Sequence, residues 1–232
     1  MFFEIEKQLK KNRKGEEIET NLIKNKRYFS TMKNSLYLKK QLKIAIEEYC
    51  TDGEVEIVCL GDGAKWIWKM FSELFPENST HILDWYHVAE KTGEIARKFY
   101  KENEKKKEDI ELLFGELRGY FYRSEYDEGI EFLNGLYEKT KDKELMGKIQ
   151  SVIGYFDNNK KRMDYKEFRE KGFCIGSGSI ESANKYVVQK RVKLPGCKWV
   201  EENVNRIVQL RTLYVNEEFD EFFEDLKYKI CK

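Results

Sequence analysis

Proline, histidine and cysteine are all scarce in this chain. Its 232 residues include two prolines, two histidines and five cysteines, and no two cysteines have the C-x-x-C spacing. With so few prolines, long stretches are free to form helices. Because a structural zinc site needs several closely spaced Cys and His ligands, this class of site is not expected. We expect the cysteines to be reduced and to pack as small hydrophobic residues.

Long apolar runs are missing as well. No stretch approaches the roughly 18 apolar residues that a membrane-spanning helix needs, and no charged-then-apolar start indicates a signal peptide. Hydrophobic residues make up 41% of the chain and aromatic residues 14%, which is enough to bury a core and argues against disorder. We therefore expect a cytoplasmic protein. The abundance of Lys, Glu, Asn and Ile is typical of a bacterium with an AT-rich genome.

The net charge is only +1, but the charges are unevenly distributed. Residues 51–159 include 15 basic and 23 acidic residues, whereas residues 160–198 include 11 basic and 4 acidic ones. One interpretation is that the basic block meets a polyanion such as DNA. The other is that both blocks are solvated helix faces.

The apolar pattern predicts a mixed α/β fold. Phe3 and Ile5 alternate with glutamates, and two further β-type runs over 18–23 and 27–31 predict antiparallel strands. Apolar residues at helical spacing predict a helix over 36–49. The chain should therefore begin with a small antiparallel sheet followed by a helix.

A strand, a helix and a second strand should follow within about thirty residues. The apolar run 55–60 predicts a buried strand, the helix should stop before Pro76, and 81–84 predicts the next strand. The two strands of such a unit are parallel. Asp62 and Asp84 are therefore expected at the carboxyl ends of adjacent strands, where ligand and metal sites of open α/β sheets cluster.

Helical spacing dominates from residue 86 to 170 and breaks at Gly172. After the small-residue segment that follows, Ser179 should cap a new helix with Glu181 in its first turn. Two more helices are expected in the remaining chain, over 199–215 and 217–229.

Each acidic candidate has a structural and a functional interpretation. The glycines beside Asp62 suit a tight turn with a helix cap, or leave a carboxylate free to reach a hard cation. Asp84 and His87 are three residues apart, so they are either a helix cap with a half-buried histidine or a pair beside a site. Glu181 is either a first-turn acid favoured by the helix dipole or a carboxylate positioned for a functional role.

Three such acids, without a reactive serine, a suitable thiol or a phosphate-cradling loop, indicate hard-metal chemistry. Carboxylates of this kind can hold two divalent cations, and oxygen ligands favour Mg²⁺ or Mn²⁺. Basic residues interleaved with aromatic ones surround Glu181 and can neutralise DNA phosphates without reading bases. The residues expected to contact DNA are Arg162, Lys185, Lys190, Arg191, Lys193 and Lys198.

Four blocks of sequence carry a family resemblance. They are LGDGAKWIW (60–68), ILDWYHVAE (82–90), RMDY (162–165) leading into IGSGSIES (175–182), and VVQKRVK (187–193) with GCKW (196–199). In this order and spacing they resemble the signature blocks of ISKra-type insertion-sequence transposases, which belong to the Asp-Asp-Glu class and have an RNase H-like core. The resemblance covers about residues 25–215.

The resemblance implies a role for each acidic candidate. Asp62 would be the second catalytic acid and Glu181 the third, both binding Mg²⁺ or Mn²⁺, while Asp84 and His87 would support the site. The implied domains are a partial RNase H-like core over 1–88, a helical insertion over 89–171, and a returning core helix with carboxyl-terminal helices over 172–232.

The first catalytic aspartate of this class is not found. It belongs on the first strand of the core, and residues 1–50 contain no Asp, while Asp52 precedes a strand and is too close to Asp62. The resemblance therefore implies an amino-terminally truncated transposase, inactive alone, that arose by gene decay, a misassigned start codon or a frame joined during translation. The missing central strand would leave a sheet edge prone to association.

The expected function is metal-dependent cleavage of DNA at the ends of an insertion sequence, followed by strand transfer into target DNA. The implied partners are both DNAs and further copies of the chain, at the bacterial nucleoid. The alternative is a catalytically dead DNA-binding remnant that could regulate transposition. A helical protein-interaction module would explain residues 86–170 but not the four blocks.

Overall fold

The structure is a computed structural model that describes residues 2–11, 15–49, 56–77, 79–101, 106–178 and 184–230. These residues form two small sheets and ten helices, so the predicted mixed α/β class is confirmed. The elements are β1 (Phe2–Lys11), β2 (Glu17–Arg27), α1 (Ser35–Tyr49), β3 (Ile57–Gly61), α2 (Lys65–Leu74), β4 (Ser79–Leu83), α3 (Trp85–Phe99), α4 (Lys107–Tyr122), α5 (Tyr126–Lys139), α6 (Lys143–Asn159), α7 (Tyr165–Glu170), α8 (Lys190–Val192), α9 (Glu201–Val215) and α10 (Phe219–Ile230). A 3₁₀ turn (Lys160–Arg162) follows α6, and a π-helical turn (Lys185–Gln189) leads into α8.

The chain divides into two compact units. The hairpin unit comprises Met1–Gly53 and Gly178–Lys232, and the helical unit comprises Glu54–Ser177. The boundaries expected after residues 88 and 171 stay a prediction. None of the helices in the described part of the chain is long and apolar enough to span a membrane.

In the hairpin unit, β1 and β2 pair in antiparallel register, with Ile5 opposite Ile23 and Lys11 opposite Glu17. Gly15 precedes β2 with a φ of 82°, in the left-handed region that glycine adopts without steric cost. The first two predicted strands and the helix predicted over 36–49 are confirmed.

The prediction of a third strand over 27–31 is wrong. Residues 28–31 form no strand, and the amide side chain of Asn216, directly after α9, binds this segment instead. Asn216 Oδ1 accepts a hydrogen bond from Tyr28 N (2.8 Å), and Asn216 Nδ2 donates to the Tyr28 carbonyl (3.1 Å). Buried backbone groups need partners, and here a side chain supplies them in place of a neighbouring strand.

A small valine core holds the carboxyl-terminal part of the hairpin unit together. Val187 of the π-helical turn packs with Val204 and Val208 of α9, and all three are buried. The helices predicted over 199–215 and 217–229 are confirmed with slightly later starts. Ser179 and Glu181, with the helix start predicted there, lie outside the described residues.

In the helical unit, β3 and β4 pair in parallel with α2 between them, as predicted. Gly61 lies opposite Leu83 at the carboxyl end of the sheet. Ile82 and Leu83 are fully buried, and each such side chain contributes roughly 1.5–3 kcal/mol relative to an exposed position. The carboxyl end of β4 is therefore firmly packed in the core.

Helices α3 to α7 share one core with this sheet, which confirms the helical pattern expected from residue 86 to 170. Leu117 and Leu133 lie on the predicted apolar faces and are fully buried. Tyr165 is also buried, and its hydroxyl donates a hydrogen bond to the Leu83 carbonyl (2.8 Å). This bond ties α7 to the carboxyl end of β4.

The cysteines follow the expected packing only in part. Cys59 is buried in β3, where burial raises the pKa of its thiol to about 12. Cys174 is half-buried and Cys197 is exposed, and all three are free thiols. Cys50 and Cys231 lie outside the described residues.

Candidate active site and nucleic-acid interface

Asp62 directly follows Gly61 at the carboxyl end of β3, and its carboxylate is exposed. One oxygen, Oδ1, accepts a hydrogen bond from the backbone N–H of Ala64 (2.9 Å) and so stabilises the turn into α2. The other oxygen, Oδ2, accepts no hydrogen bond from any residue that the structure describes. Asp62 therefore combines the structural role of a turn residue with an oxygen that a ligand can reach.

The two glycines beside Asp62 are required by packing. A Cβ on Gly61 would lie 2.9 Å from the Trp68 ring. Gly63 has a φ of 92°, and a Cβ there would lie 2.7 Å from the Tyr155 ring. Close packing thus accounts for both glycines, whether or not a cation approaches Asp62.

Tyr155 of α6 holds the Asp62 turn from the other side. Its hydroxyl donates a hydrogen bond to the Asp62 carbonyl (2.6 Å), and the ammonium of Lys91 lies 4.3 Å from its ring centroid. Burial, and then the negative charges of Asp62, Asp84 and Glu90, raise the pKa of the Tyr155 hydroxyl. The phenol therefore stays protonated and keeps donating at neutral pH.

Asp84 is a buried cap, with only 3% of its surface exposed. Its Oδ1 accepts hydrogen bonds from Tyr86 N (3.0 Å), which caps α3, and from Ser177 N (3.1 Å). Its Oδ2 accepts a hydrogen bond from the Ser177 hydroxyl. Since both oxygens are occupied by protein donors, the structure favours a helix cap over a metal ligand.

His87 lies in the first turn of α3 and is half-buried. Its Nε2 is 3.9 Å from Asp84 Oδ2, which is too long for a hydrogen bond, and its Nδ1 is 3.5 Å from Glu90 Oε2. The ring packs edge-on against Tyr86. Asp84 and His87 therefore lie side by side without forming a hydrogen-bonded pair.

The strand ends that carry Asp62 and Asp84 are joined directly. The Asp84 N–H donates to the Gly61 carbonyl (2.8 Å), which continues the parallel pairing of β3 and β4 by one step. The prediction that both acids lie at the same edge of the sheet is confirmed. The exposed carboxylate of Asp62 fits a hard divalent cation. The Asp84 carboxylate is buried and already accepts three hydrogen bonds from the protein, so it fits one less well.

The described residues contain no group of three or more His, Cys, Asp or Glu side chains that could hold a metal ion. Glu181, the other predicted ligand, lies outside the described residues.

The basic candidates fall into both units. Arg162 belongs to the helical unit, where its guanidinium lies 4.7 Å from the Trp68 ring centroid and Nη1 donates to the Asn158 carbonyl (3.3 Å). It is half-buried, and burial lowers the pKa of its guanidinium. The candidates in the hairpin unit are all exposed: Lys185, Lys190, Arg191, Lys193 and Lys198.

Two of the exposed cations stack on aromatic rings. The Lys190 ammonium lies 4.0 Å from the Tyr186 ring centroid, and the Arg191 guanidinium lies 5.4 Å from that of Trp199. Tyr186 is 51% exposed, so its ring is open to a ligand as well. Positive charge beside exposed π-faces is the combination that binds nucleic-acid backbones and unpaired bases.

Arg211 fixes the turn that presents these cations. Arg211 of α9 donates to two backbone carbonyls of the π-helical turn, Val187 O (2.9 Å) and Tyr186 O. The basic cluster is thereby attached to α9 through the backbone as well as through the valine core.

No family model, curated protein or solved structure matches the chain. The motif resemblance and the geometry described above are therefore what support a function.

Sequence reasoning missed three residues that shape these sites: Tyr155, Ser177 and Arg211. Ser177 stands in the Gly-Ser-Gly-Ser segment, and the two glycines around it are the one signal that could have drawn attention to it. Tyr155 and Arg211 sit in ordinary amphipathic helices. Their long-range contacts leave no local pattern in the sequence.

Proposed function

We propose that this chain is part of a DNA transposase of the Asp-Asp-Glu class with an RNase H-like core. The hairpin β1–β2 and the parallel pair β3–β4 would belong to that core, and most of α3 to α7 to its insertion. One observation carries the proposal furthest: Asp62 leaves β3 with an exposed carboxylate at the sheet edge where Asp84 binds Ser177, four residues before Glu181.

Asp62 and Glu181 would hold the divalent cations, Mg²⁺ or Mn²⁺. When bound, such ions polarise a phosphodiester and favour ionisation of an attacking water or hydroxyl. Asp62 would contribute its Oδ2, while Tyr155 holds the backbone carbonyl of the same residue in place. Asp84 would support the site as a cap and stay away from the cation.

The exposed cations of the hairpin unit would bind the DNA backbone. Lys190, Arg191 and Lys193 lie within four residues on and after α8, so they can follow successive phosphates. Each phosphate contact should contribute about 0.9 to the slope of log affinity against log salt. Arg162, half-buried against Trp68, is a weaker candidate than the others.

DNA binding by this cluster can be tested in the intact chain. Replacing Lys190, Arg191 and Lys193 together by Ala should weaken binding to duplex DNA and lower the salt slope by about 2 to 3 in a fluorescence titration. The matched control replaces Lys227 and Lys229, exposed lysines of α10, and should leave the slope unchanged. Equal salt slopes for both variants would contradict the assignment.

Catalysis is tested separately by metal-dependent nicking of the element's end sequence. The assay uses this chain and, where the upstream reading frame is open, its extended form. Asp62→Asn and Glu181→Gln should each abolish nicking while DNA affinity stays within about twofold, because carboxylates that hold the metal act mainly in the chemical step. Nicking that survives both substitutions would refute the assignment of the acids.

The second candidate function is a DNA-binding remnant without activity. It is favoured by the exposed basic residues of the hairpin unit, which can bind DNA phosphates whether or not a metal ion is present. Such a remnant would compete for element ends. Salt-sensitive DNA binding with no metal-dependent nicking by either form of the chain would select this function.

A further inference from the structure

Tyr186 differs in its surroundings from other aromatic residues that contact a cation. Tyr126 lies beside Lys160 and Trp68 beside Arg162, and both of these rings pack against or within the larger core. Tyr186 lies beside Lys190 and is 51% exposed. About half of this side chain is therefore available for contact with a ligand.

The Tyr186 ring is attached to a fixed base. Its backbone carbonyl accepts a hydrogen bond from Arg211 of α9, and the next residue, Val187, is buried in the valine core. The Lys190 ammonium lies 4.0 Å from the ring centroid, where it can cover one face of the ring at most. The exposed part of the ring can thus stack on a flat ligand, and its backbone is already held in place before the ligand binds.

The segment around Tyr186 combines positive charge with exposed apolar side chains. Leu194 is 43% exposed and Val200 is 67% exposed, and the cations of residues 185–198 lie in the same stretch of the hairpin unit. A protein that binds the phosphates of duplex DNA needs only the charges, because the faces of the paired bases are stacked on one another. An exposed ring and exposed aliphatic side chains favour a ligand that offers flat apolar surface as well as phosphates.

Trp199 forms a second aromatic–cation pair in this segment. Its ring is half-buried against the valine core, and the Arg191 guanidinium lies 5.4 Å from the ring centroid. Trp199 offers less free surface than Tyr186, but a guanidinium can itself lie against a base. Both pairs are therefore attached to one small core.

We propose that Tyr186 is a stacking platform for an unpaired base of bound DNA. The base lies on the exposed part of the Tyr186 ring, and Lys190 and Arg191 bind the phosphates beside it. The proposal rests on the proposed function in one respect, because it takes DNA as the ligand of these cations. It adds that the DNA presents an unpaired base there.

The test compares oligothymidylate with an abasic strand of the same length, which has the same phosphates but no bases. Tyr186→Ala should weaken binding of oligothymidylate about tenfold, because the stacking of one base is lost. The same change should alter affinity for the abasic strand and for duplex DNA by less than about twofold. It should also leave the salt slope unchanged, because stacking on a ring releases no counterions.

Two variants serve as controls in the same titrations. Tyr186→Trp keeps a π-face at this position and should bind oligothymidylate within about twofold of wild type. Tyr214→Ala removes another exposed tyrosine of the hairpin unit, on α9, and should leave all three affinities unchanged.

The outcomes separate this proposal from the proposed function. Wild-type affinity of Tyr186→Ala for oligothymidylate, or an equal loss with the abasic strand, would overturn the stacking role and leave the transposase assignment standing. Absence of metal-dependent nicking, with the base-dependent loss intact, would overturn the catalytic assignment and support the platform. A wild-type chain that binds none of the three probes would overturn both.

Discussion

Tyr155 is the residue through which α6 reaches the Asp62 turn. Its hydroxyl binds the Asp62 carbonyl, and its ring fills the space that a side chain at position 63 would need. The residue that carries the candidate catalytic acid is thus held by a helix about ninety residues further along the chain. Gly61 and Gly63 are therefore needed because a side chain at either position would clash with a neighbouring ring.

The first prediction concerns Gly63. Gly63→Ala should destabilise the protein by about 1–3 kcal/mol, because a Cβ would both clash with Tyr155 and disfavour the positive φ. The measurement is the urea midpoint of unfolding. Gly147→Ala in α6, where a Cβ meets open space, is the control and should stabilise by about 0.5–1 kcal/mol. A Gly63→Ala variant as stable as wild type would contradict the packing argument.

The second prediction concerns His81, which stacks on Trp68 with ring centroids 5.8 Å apart. Burial, and then the charge of Arg162, lower the pKa of its imidazole below the ordinary 6.5. The folded protein therefore binds a proton less readily than the unfolded chain, and stability falls as pH drops below about 6.5. Above that pH the effect is absent.

His81→Gln should consequently lose less stability than wild type between pH 7 and pH 5.5. Thermal unfolding at several pH values measures this, and His87→Gln serves as the control because it leaves the Trp68 stack intact. Parallel stability curves for wild type and His81→Gln would show that the imidazole plays no part.

At the scale of elements, the π-helical turn is the feature that presents the basic cluster. The guanidinium of Arg211 donates to two backbone carbonyls of this turn, those of Tyr186 and Val187. The cations on α8 are thus oriented by a side chain of α9. Their position depends on this guanidinium together with the valine core.

The third prediction follows from that dependence. Arg211→Lys should destabilise the protein by about 1–3 kcal/mol, since an ammonium cannot reproduce the two-carbonyl fork. Arg206→Ala, which removes an exposed pair with Glu202 on the same helix, should change stability by less than about 0.5 kcal/mol. Urea unfolding of both variants compares them. Similar losses for the two would show that the fork does not stabilise the turn.

Elements with regular periodicity were predictable from the sequence, and long-range polar contacts were not. The β-branched run of β3 and the apolar faces of α4 and α5 repeat with the period of their structure, so they could be read locally. Residues 28–31 carry a β-type pattern too, but Asn216 binds both backbone groups of Tyr28, and no local sequence rule predicts this contact.

The same distinction between local patterns and long-range contacts applies to the candidate site. The placement of Asp62 and Asp84 at one sheet edge followed from the βαβ pattern alone. The contact of Asp84 with Ser177 joins residues 93 positions apart and depends on how α7 packs beneath β4. Such a contact follows only from the folded arrangement of the whole helical unit.

At the scale of the whole molecule, each unit contains its own core. Every buried residue of the larger core, with the residues packed against it, falls between 58 and 175, and the valine core falls between 187 and 215. The helical unit is thus continuous in sequence, whereas the hairpin unit is assembled from both ends of the chain.

The fourth prediction is that residues 54–177 fold on their own. Because the fragment retains its complete core, it should unfold cooperatively in urea, with a fluorescence change from Trp66, Trp68 and Trp85. As a control, Phe156→Ala, which opens a cavity in the core, should lower the midpoint strongly. A gradual, non-cooperative transition of the fragment would contradict its independence.

The bonds between Tyr28 and Asn216 also have a consequence for synthesis on the ribosome. The two residues are 188 positions apart. At a synthesis rate of about 5–20 residues per second, Asn216 joins the chain on the order of 10–40 s after Tyr28. The helical unit is completed during that interval. We therefore expect the nascent chain to acquire structure in its middle first, while its beginning stays solvated until the last helices leave the exit tunnel.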